Sequence, residues 1–410
     1  MRVPVELVNA FGKEFESWVS QFLVGEKLIE SPEALHSDRF LSRSIVPHIE
    51  KLSRTFNRLE NPKDTSGLDP YWKESSNPEN LRLAYFLYFM PSNLFRVSSV
   101  IAELKRLGYQ WPHSQNFKGI EWGAGPASGA CGVAAGEVFS SIGISRSGNF
   151  ALIEQDRAVL SMGEKWANSY FSNLGLDWSI RPFHRKVDWT KPLLPKTAPE
   201  FHFWLSSFFL NEATLTAEEL SLRLLENWDQ HLSDEGMVVL LEPALKIQSR
   251  RLLELRRALL ERFQEKKWKN KYKVLLPCLG DQACGALSKS EDWCHEEVSW
   301  WRPPYFKKID EMAKLDRKSL PFSYLVVSKT KRSIEELFPM LGTGKNYSRL
   351  VSPSHYEGKD REFFMCGDYG KLRARFRTEE EVERGSILLD AEFRGDQQST
   401  RIDRVKSVIS

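Results

Sequence analysis

Four of the five cysteines lie in the second half of the chain, and three of them, Cys278, Cys284 and Cys294, fall within seventeen residues. The fourth, Cys366, comes some seventy residues later. Thiols placed together become chemically useful when they are deprotonated around a soft metal ion or an iron–sulfur cluster. Structural zinc sites usually carry C-x2-4-C knuckles, whereas the tightest pair here is C-x5-C. Three close cysteines and a remote fourth are compatible with an iron–sulfur cluster held by four thiolates from separate loops. Zinc is the alternative, with His295, next to Cys294, as a substitute fourth ligand. Free packed thiols are the plain reading.

A second constellation is Glu121-Trp122-Gly123-Ala124-Gly125-Pro126-Ala127, set between an expected strand and an expected helix. Glycine lets the backbone turn tightly and approach a ligand without a Cβ in the way. The segment is not a full G-x-G-x-x-G, since Ser128 holds the third position. It resembles motif I of class I S-adenosylmethionine methyltransferases, in which the backbone surrounds the methionine end of the cofactor. Glu154, at the end of the next strand, is placed to accept hydrogen bonds from two ribose hydroxyls, as in dinucleotide sites. Asp188 is the expected acid for the adenine amino group, with Trp189 as an apolar wall. Asn211 completes the expected cofactor set of Glu121, Gly123, Gly125, Ala127, Glu154 and Asp188, and an acceptor atom would sit near Asn211-Glu212. No residue is assigned a catalytic role. Gly342-Thr343-Gly344-Lys345 lacks phosphate-loop spacing and reads as an ordinary loop.

From Lys246 to Lys273 there are eleven Lys or Arg against three Glu. Arg250, Arg251 and Arg257, then Lys266, Lys267 and Lys269, are candidates to neutralise phosphates, with Trp268 and Tyr272 available to stack on unpaired bases. A solvated helix face is the competing explanation.

These groups need a scaffold. Residues 1–112 carry apolar positions at helical spacing and are expected to form a helical N-terminal region, with 61–80 as a loop and Pro91 breaking a helix. From about 113 to 376, short apolar strands alternate with helices, which argues an α/β domain with a parallel sheet covered on both faces. Within it, 274–305 is a cysteine-rich insertion. Residues 377–410 are expected as a charged tail. The formal charge of +3 and 28% charged residues are ordinary for a globular protein. No apolar run nears the roughly 18–20 residues that span a bilayer. No signal or transit pattern is seen, so a cytoplasmic protein without membrane partners is expected. In that compartment thiols stay reduced. Oligomeric state is not legible.

Taken together, P-C-x5-C followed by Asp292-Trp293-Cys294-His295 after a motif-I core resembles the methyltransferase-like factors of the mitochondrial small ribosomal subunit and their bacterial relatives, the Rsm twenty-two family. Ala84-Tyr85 leading to Met90-Pro91-Ser92, Leu210-Asn211-Glu212, Leu241-Glu242-Pro243, Phe322-Ser323-Tyr324 and Arg349-Leu350 before Met365-Cys366 are similar to further segments of that family, in the same order. The resemblance covers about 80–376. It implies a Rossmann-like class I methyltransferase fold, S-adenosylmethionine, a 4Fe-4S cluster on Cys278, Cys284, Cys294 and Cys366, and the small ribosomal subunit or its rRNA as partner. The sequence departs from the family at Phe89, where an arginine is usual, at Ser92-Asn93 and at Ala244. Two other functions stand beside this one: a methyltransferase of a small molecule or protein with a structural zinc, and a non-catalytic RNA-binding assembly module.

Overall fold

A computed structural model of the chain describes residues 5–58, 77–112, 116–342, 346–357, 360–376, 382–394 and 400–409. The expected loop at 61–80 therefore lies outside the described residues up to position 76, as do 343–345 and 377–381. Helices α1 (Val5–Gly25) and α2 (Val46–Arg58) lead into α3 (Pro78–Arg106), the longest element. Pro91 lies inside α3 and does not end it. A mid-helix proline removes one backbone bond and costs about 3 kcal/mol. Almost every residue of α3 from Leu81 to Leu104 is buried, and that packing outweighs the loss. Ser92 Oγ also donates to the Phe89 carbonyl at 2.9 Å.

The first sheet follows as β1 (Phe117–Trp122), α4 (Ser128–Ser140), β2 (Ser147–Glu154), α5 (Arg157–Asn173), β3 (Asp177–His184), β4 (Phe201–Ser207), α6 (Ala217–His231), β5 (Leu232–Glu242), α7 (Lys246–Phe263), β6 (Tyr272–Leu276), β7 (Glu296–Ser299), α8 (Pro304–Ala313) and β8 (Ser319–Lys329). Its order is β3-β2-β1-β4-β5-β8-β6, with β7 paired to β8. The strands from β3 to β5 run parallel, and β8 is antiparallel to both neighbours. The order reverses beside β1, between β2 and β4, which is where open α/β sheets place their ligands. An antiparallel strand next to β5 makes this the Rossmann-like arrangement of class I methyltransferases. One apolar core joins the N-terminal helices, α4 and α5 to one face, and a second lies under α6 and α7.

The expected charged tail is instead part of a second sheet. Strands β9 (Tyr347–Leu350), β10 (His355–Glu357), β11 (Asp360–Gly367), β12 (Gly370–Phe376), β13 (Ile387–Leu389), β14 (Glu392–Arg394), β15 (Thr400–Arg404) and β16 (Ser407–Ile409) associate in the order β14-β15-β12-β11-β9-β13-β16, with β10 on β11. The apolar patch Ile387-Leu388-Leu389 and the isolated Ile402 are buried between charged outward residues.

A buried ionic junction ties the two sheets together through α3. Arg349 on β9 donates to Glu103 at 2.7 Å, and both side chains are essentially inaccessible. Arg106 grips the same carboxylate at 2.7 and 2.8 Å and donates to the Gly385 and Ile409 carbonyls. Burial alone would raise the Glu103 pKa, but the two guanidiniums override it and hold it down at about 2. The unfolded value is about 4.3, so this contribution is complete above that and is lost as pH falls through 2. Glu103→Gln, which strands a buried guanidinium, is expected to cost about 3–5 kcal/mol in urea unfolding at pH 7. The penalty should shrink as the buffer is taken from pH 5 towards pH 2.

Candidate functional site

The glycine loop turns where β1 ends. Gly123 and Gly125 have φ of +62° and +53°, in the left-handed region that glycine adopts freely. A Cβ on Gly123 would stand 2.5 Å from the Phe209 ring, so the loop passes a wall that no side chain could share. Ala127 also has φ of +62° and forms the N-cap of α4. Helix α4 seats closely because Gly132 and Gly136 face Val97 and Ile101 of α3 with no room for a Cβ. On the other side, Gly163 of α5 packs directly against the Gly125 carbonyl.

Beside this loop is a cavity of about 810 Å³, lined among others by Tyr85, Gly123, Gly125, Glu154, Trp189 and Asn211. Glu154 sits at the carboxyl end of β2. Its Oε2 accepts from Gly125 N at 3.0 Å and its Oε1 from Gln155 N and Asp156 N at 2.7 and 2.8 Å. Burial raises its pKa against these three donors. Asn211 Oδ1 is buried with no hydrogen-bond partner among the described residues, the kind of orphaned acceptor that a ligand donor satisfies. Trp189 packs on Phe209 with ring centres 5.5 Å apart. The loop bearing Asn211 is fixed from below. Leu210 N donates to Glu242 at 2.8 Å, and Arg251 of α7 donates to the Asn211 and Leu215 carbonyls at 3.2 and 3.1 Å.

Three expected cofactor residues are placed otherwise: Ala127 is fully buried at the start of α4 and, like Glu121 and Asp188, does not line the cavity. Glu121 does not line the cavity. Its carboxylate accepts from Gly129 N and Ala130 N at 2.9 and 2.8 Å, fully buried, so it braces the first turn of α4 behind the loop. Asp188 turns into its own loop, taking Thr190 N and Oγ1 at 3.0 and 2.6 Å and pairing with Lys191 at 3.0 Å. Those bonds hold its pKa down at about 2. Its neighbours Val187 and Trp189 face the cavity instead.

The four cysteines Cys278, Cys284, Cys294 and Cys366 line one smaller cavity of about 180 Å³. All are free thiols. Burial raises the pKa of Cys278 and Cys294 and pushes Cys366 up to about 12, and each of the three is raised further by neighbouring thiols of the set. Among the described residues no group of three or more His, Cys, Asp or Glu stands in a metal-holding arrangement. The surroundings are cationic. Arg256 Nε and Arg349 Nε and Nη2 are buried in this cavity wall without hydrogen-bond partners among the described residues. His295 and Trp293 line both cavities, so the Trp293-Cys294-His295 segment is the partition between them.

Arg250 and Arg256 of α7 serve this neighbourhood rather than solvent. Arg250 donates to the Lys289 and Asp292 carbonyls at 2.8 and 2.6 Å, and Arg256 to those of Gly280 and Gln282 at 2.9 and 2.8 Å. Arg257 pairs with Glu218 at 3.0 Å. From the other side Lys371 of β12 binds Asp292. Lys266, Lys267 and Lys269 are exposed. Trp268 and Tyr272, expected as stacking platforms, are buried in the core under α6 and α7, because the chain there re-enters the sheet as β6. Sequence reasoning missed Arg96 and Arg317 on the cavity wall. The only signal for Arg96 was an arginine within the buried middle of a helix, between Leu83 and Ala102, where no other charge occurs.

The fold and the glycine-loop site thus define a Rossmann-like α/β protein of the methyltransferase type. Over residues 80–392 the chain matches the family described as mitochondrial small ribosomal subunit Rsm22, about three quarters of its length, and it belongs to that family. No curated protein matches it in sequence. Among solved structures it is similar to the plantazolicin methyltransferase BpumL in complex with SAH, at 11% identity and a TM-score of 0.33, covering 67% of this chain and 98% of that one. The fibrillarin/Nop5p complex gives 12% identity and a TM-score of 0.26, covering 52% and 76%. Precorrin-6y C5,15-methyltransferase from Geobacter metallireducens GS-15 gives 13% and 0.28, covering 57% and 88%. These overlays are loose, and the fold assignment rests on the strand order itself.

The bracing role of Glu121 has a pH signature. Burial lifts its pKa to about 8, against the two backbone donors. The folded value lies above the unfolded one of about 4.3, so the stability linked to this group is full below that and drains as pH rises to 8. The stability advantage of wild type over Glu121→Gln in urea unfolding should be larger at pH 5 than at pH 8.5.

Proposed function

We propose that the chain binds S-adenosylmethionine beside Gly123 and Gly125 and acts on the small ribosomal subunit as a methyltransferase-like assembly protein. The observation that carries this reading is the cavity itself. It joins a glycine loop with no space for a Cβ, a carboxylate at the end of β2 and an orphaned buried acceptor at Asn211. Glu154 would take the ribose hydroxyls, Asn211 a donor of the cofactor, and Trp189 with Val187 the flat adenine face. The bound sulfonium supplies an electrophilic methyl group, and the protein's share is to align an acceptor with it. Lys266, Lys267 and Lys269 are the exposed cations offered to rRNA phosphates, while Arg250, Arg251 and Arg257 secure loops and a neighbouring helix.

The same proposal assigns a 4Fe-4S cluster to Cys278, Cys284, Cys294 and Cys366. The donor set fits it. Four thiols share one cavity, well above the ~10–15 Å³ that a single water needs, and the buried guanidinium groups of Arg256 and Arg349 line its wall, a setting that suits an anionic centre. Its role would be structural, since Cys366 belongs to the second sheet and the other three to the loop between β6 and β7.

Two measurements test this reading. Calorimetry should show S-adenosylmethionine binding by the wild type that weakens at least tenfold in Glu154→Ala, with an unchanged circular dichroism spectrum. Wild-type protein that binds no cofactor would end the reading. Anaerobically prepared protein should carry iron and sulfide, lost in each of the four Cys→Ser variants. A stoichiometric zinc content without iron would replace the cluster by zinc.

A further inference from the structure

Arg96 is a buried cation with no carboxylate partner among the described residues. It projects from α3 and is 7% exposed. Its Nη1 donates to the neutral Asn93 Oδ1 at 2.8 Å, its guanidinium carbon lies 5.3 Å from the Phe208 ring centre, and its Nε has no hydrogen-bond partner. Arg317, between α8 and β8, also lines the large cavity, with its guanidinium over the rings of Tyr88 and Phe89 at 4.7 and 4.9 Å. Burial, and then the charge of Arg317, hold the Arg96 pKa down at about 9.

Of the carboxylates around this wall, Asp310, Asp316 and Glu154 are engaged elsewhere, and Glu212, which also lines the cavity, is not free. Asp310 takes Tyr88 Oη at 2.6 Å and Arg302 at 2.8 Å. Asp316 pairs with Lys318 at 2.8 Å, and Glu154 is occupied by its three backbone donors. A guanidinium removed from water with only a neutral partner is costly. Two of them on one cavity wall repel, and the arrangement gains most from an anion that both can reach.

We propose that Arg96 and Arg317 form an anion subsite in the large cavity, which takes a carboxylate or phosphate group of a ligand bound beside the glycine loop. The source of that anion rests on the function proposed above. It is either the amino-acid carboxylate of the cofactor or the phosphate of a nucleotide acceptor, and both present the planar or tetrahedral oxygens that guanidinium groups bind in pairs.

Calorimetry on the full chain separates the sources. The probes are S-adenosylhomocysteine, 5′-methylthioadenosine, which lacks the amino-acid part, and the pair cytidine and cytidine 5′-monophosphate. If the carboxylate is the ligand, Arg96→Gln weakens S-adenosylhomocysteine at least tenfold and leaves methylthioadenosine unchanged. If the phosphate is the ligand, both adenosyl probes bind Arg96→Gln as they bind wild type, and the preference for the monophosphate over cytidine disappears. Arg317→Gln, at a half-buried position, must shift the same probe in the same direction and covers the case of an unfolded Arg96 variant. A monophosphate preference that depends on Arg96, in a protein that binds neither adenosyl probe, would uphold the subsite and remove the cofactor reading. Wild-type affinities for all probes in both variants would overturn the subsite, as would a wild type that binds none of them.

Discussion

The structure depends on a charge buried where two sheets meet. Glu103 and Arg349 lie 2.7 Å apart with almost no exposure, and Arg106 closes the group from the same helix. A buried pair is no guarantee of net stability against an apolar alternative. What it fixes is register, because only one placement of β9 puts Arg349 over Glu103. That placement carries β11 with it through the pairing of Cys366 with Arg349. The fourth thiol therefore reaches the other three through α3, and the junction is part of the cysteine site as well as of the fold. Glu296, 3.8 Å from Arg349, extends the same ionic group to the strand that follows Cys294.

On the opposite side of α3, glycine rather than charge sets the geometry. Gly132 and Gly136 let α4 lie against Val97 and Ile101, and Gly129 leaves space for the Glu121 carboxylate and Leu205. The glycine loop is consequently held between the Phe209 ring and Gly163, with Gly125 N turned to Glu154, while Glu121 takes the first N–H groups of α4 behind it. The two cavities share a wall made of Trp293 and His295. The position of Cys294 between them couples the order of the thiol site to the shape of the larger cavity.

Some of this was legible in the chain and some was not, for physical reasons. The glycine loop and Glu154 could be read because backbone geometry demands glycine at Gly123, and the end of a strand after such a loop leaves few positions for an acid. Asp188 misled because an aspartate two residues before a threonine can satisfy itself locally, and here it does. The basic run from 246 to 273 looked like a phosphate-binding face, since composition does not reveal which arginines end on carbonyls. Arg250, Arg251 and Arg256 all do. The second sheet was hidden because its strands are short and alternate buried apolar residues with exposed charges, as at Arg373-Ala374-Arg375-Phe376. Arg96 was invisible for the opposite reason, being one charge in the middle of a helix whose neighbouring positions read as core.

The central claim is that one molecule holds an adenosyl cofactor at the glycine loop and an iron–sulfur centre at the junction of its sheets. The most direct measurement is an anaerobic crystal structure grown with S-adenosylhomocysteine, with diffraction collected across the iron absorption edge. The account predicts nucleoside density between Gly123 and Glu154, and an iron signal within bonding distance of the sulfurs of Cys278, Cys284, Cys294 and Cys366. A cavity without nucleoside, together with four free thiols and no anomalous signal among them, would contradict it.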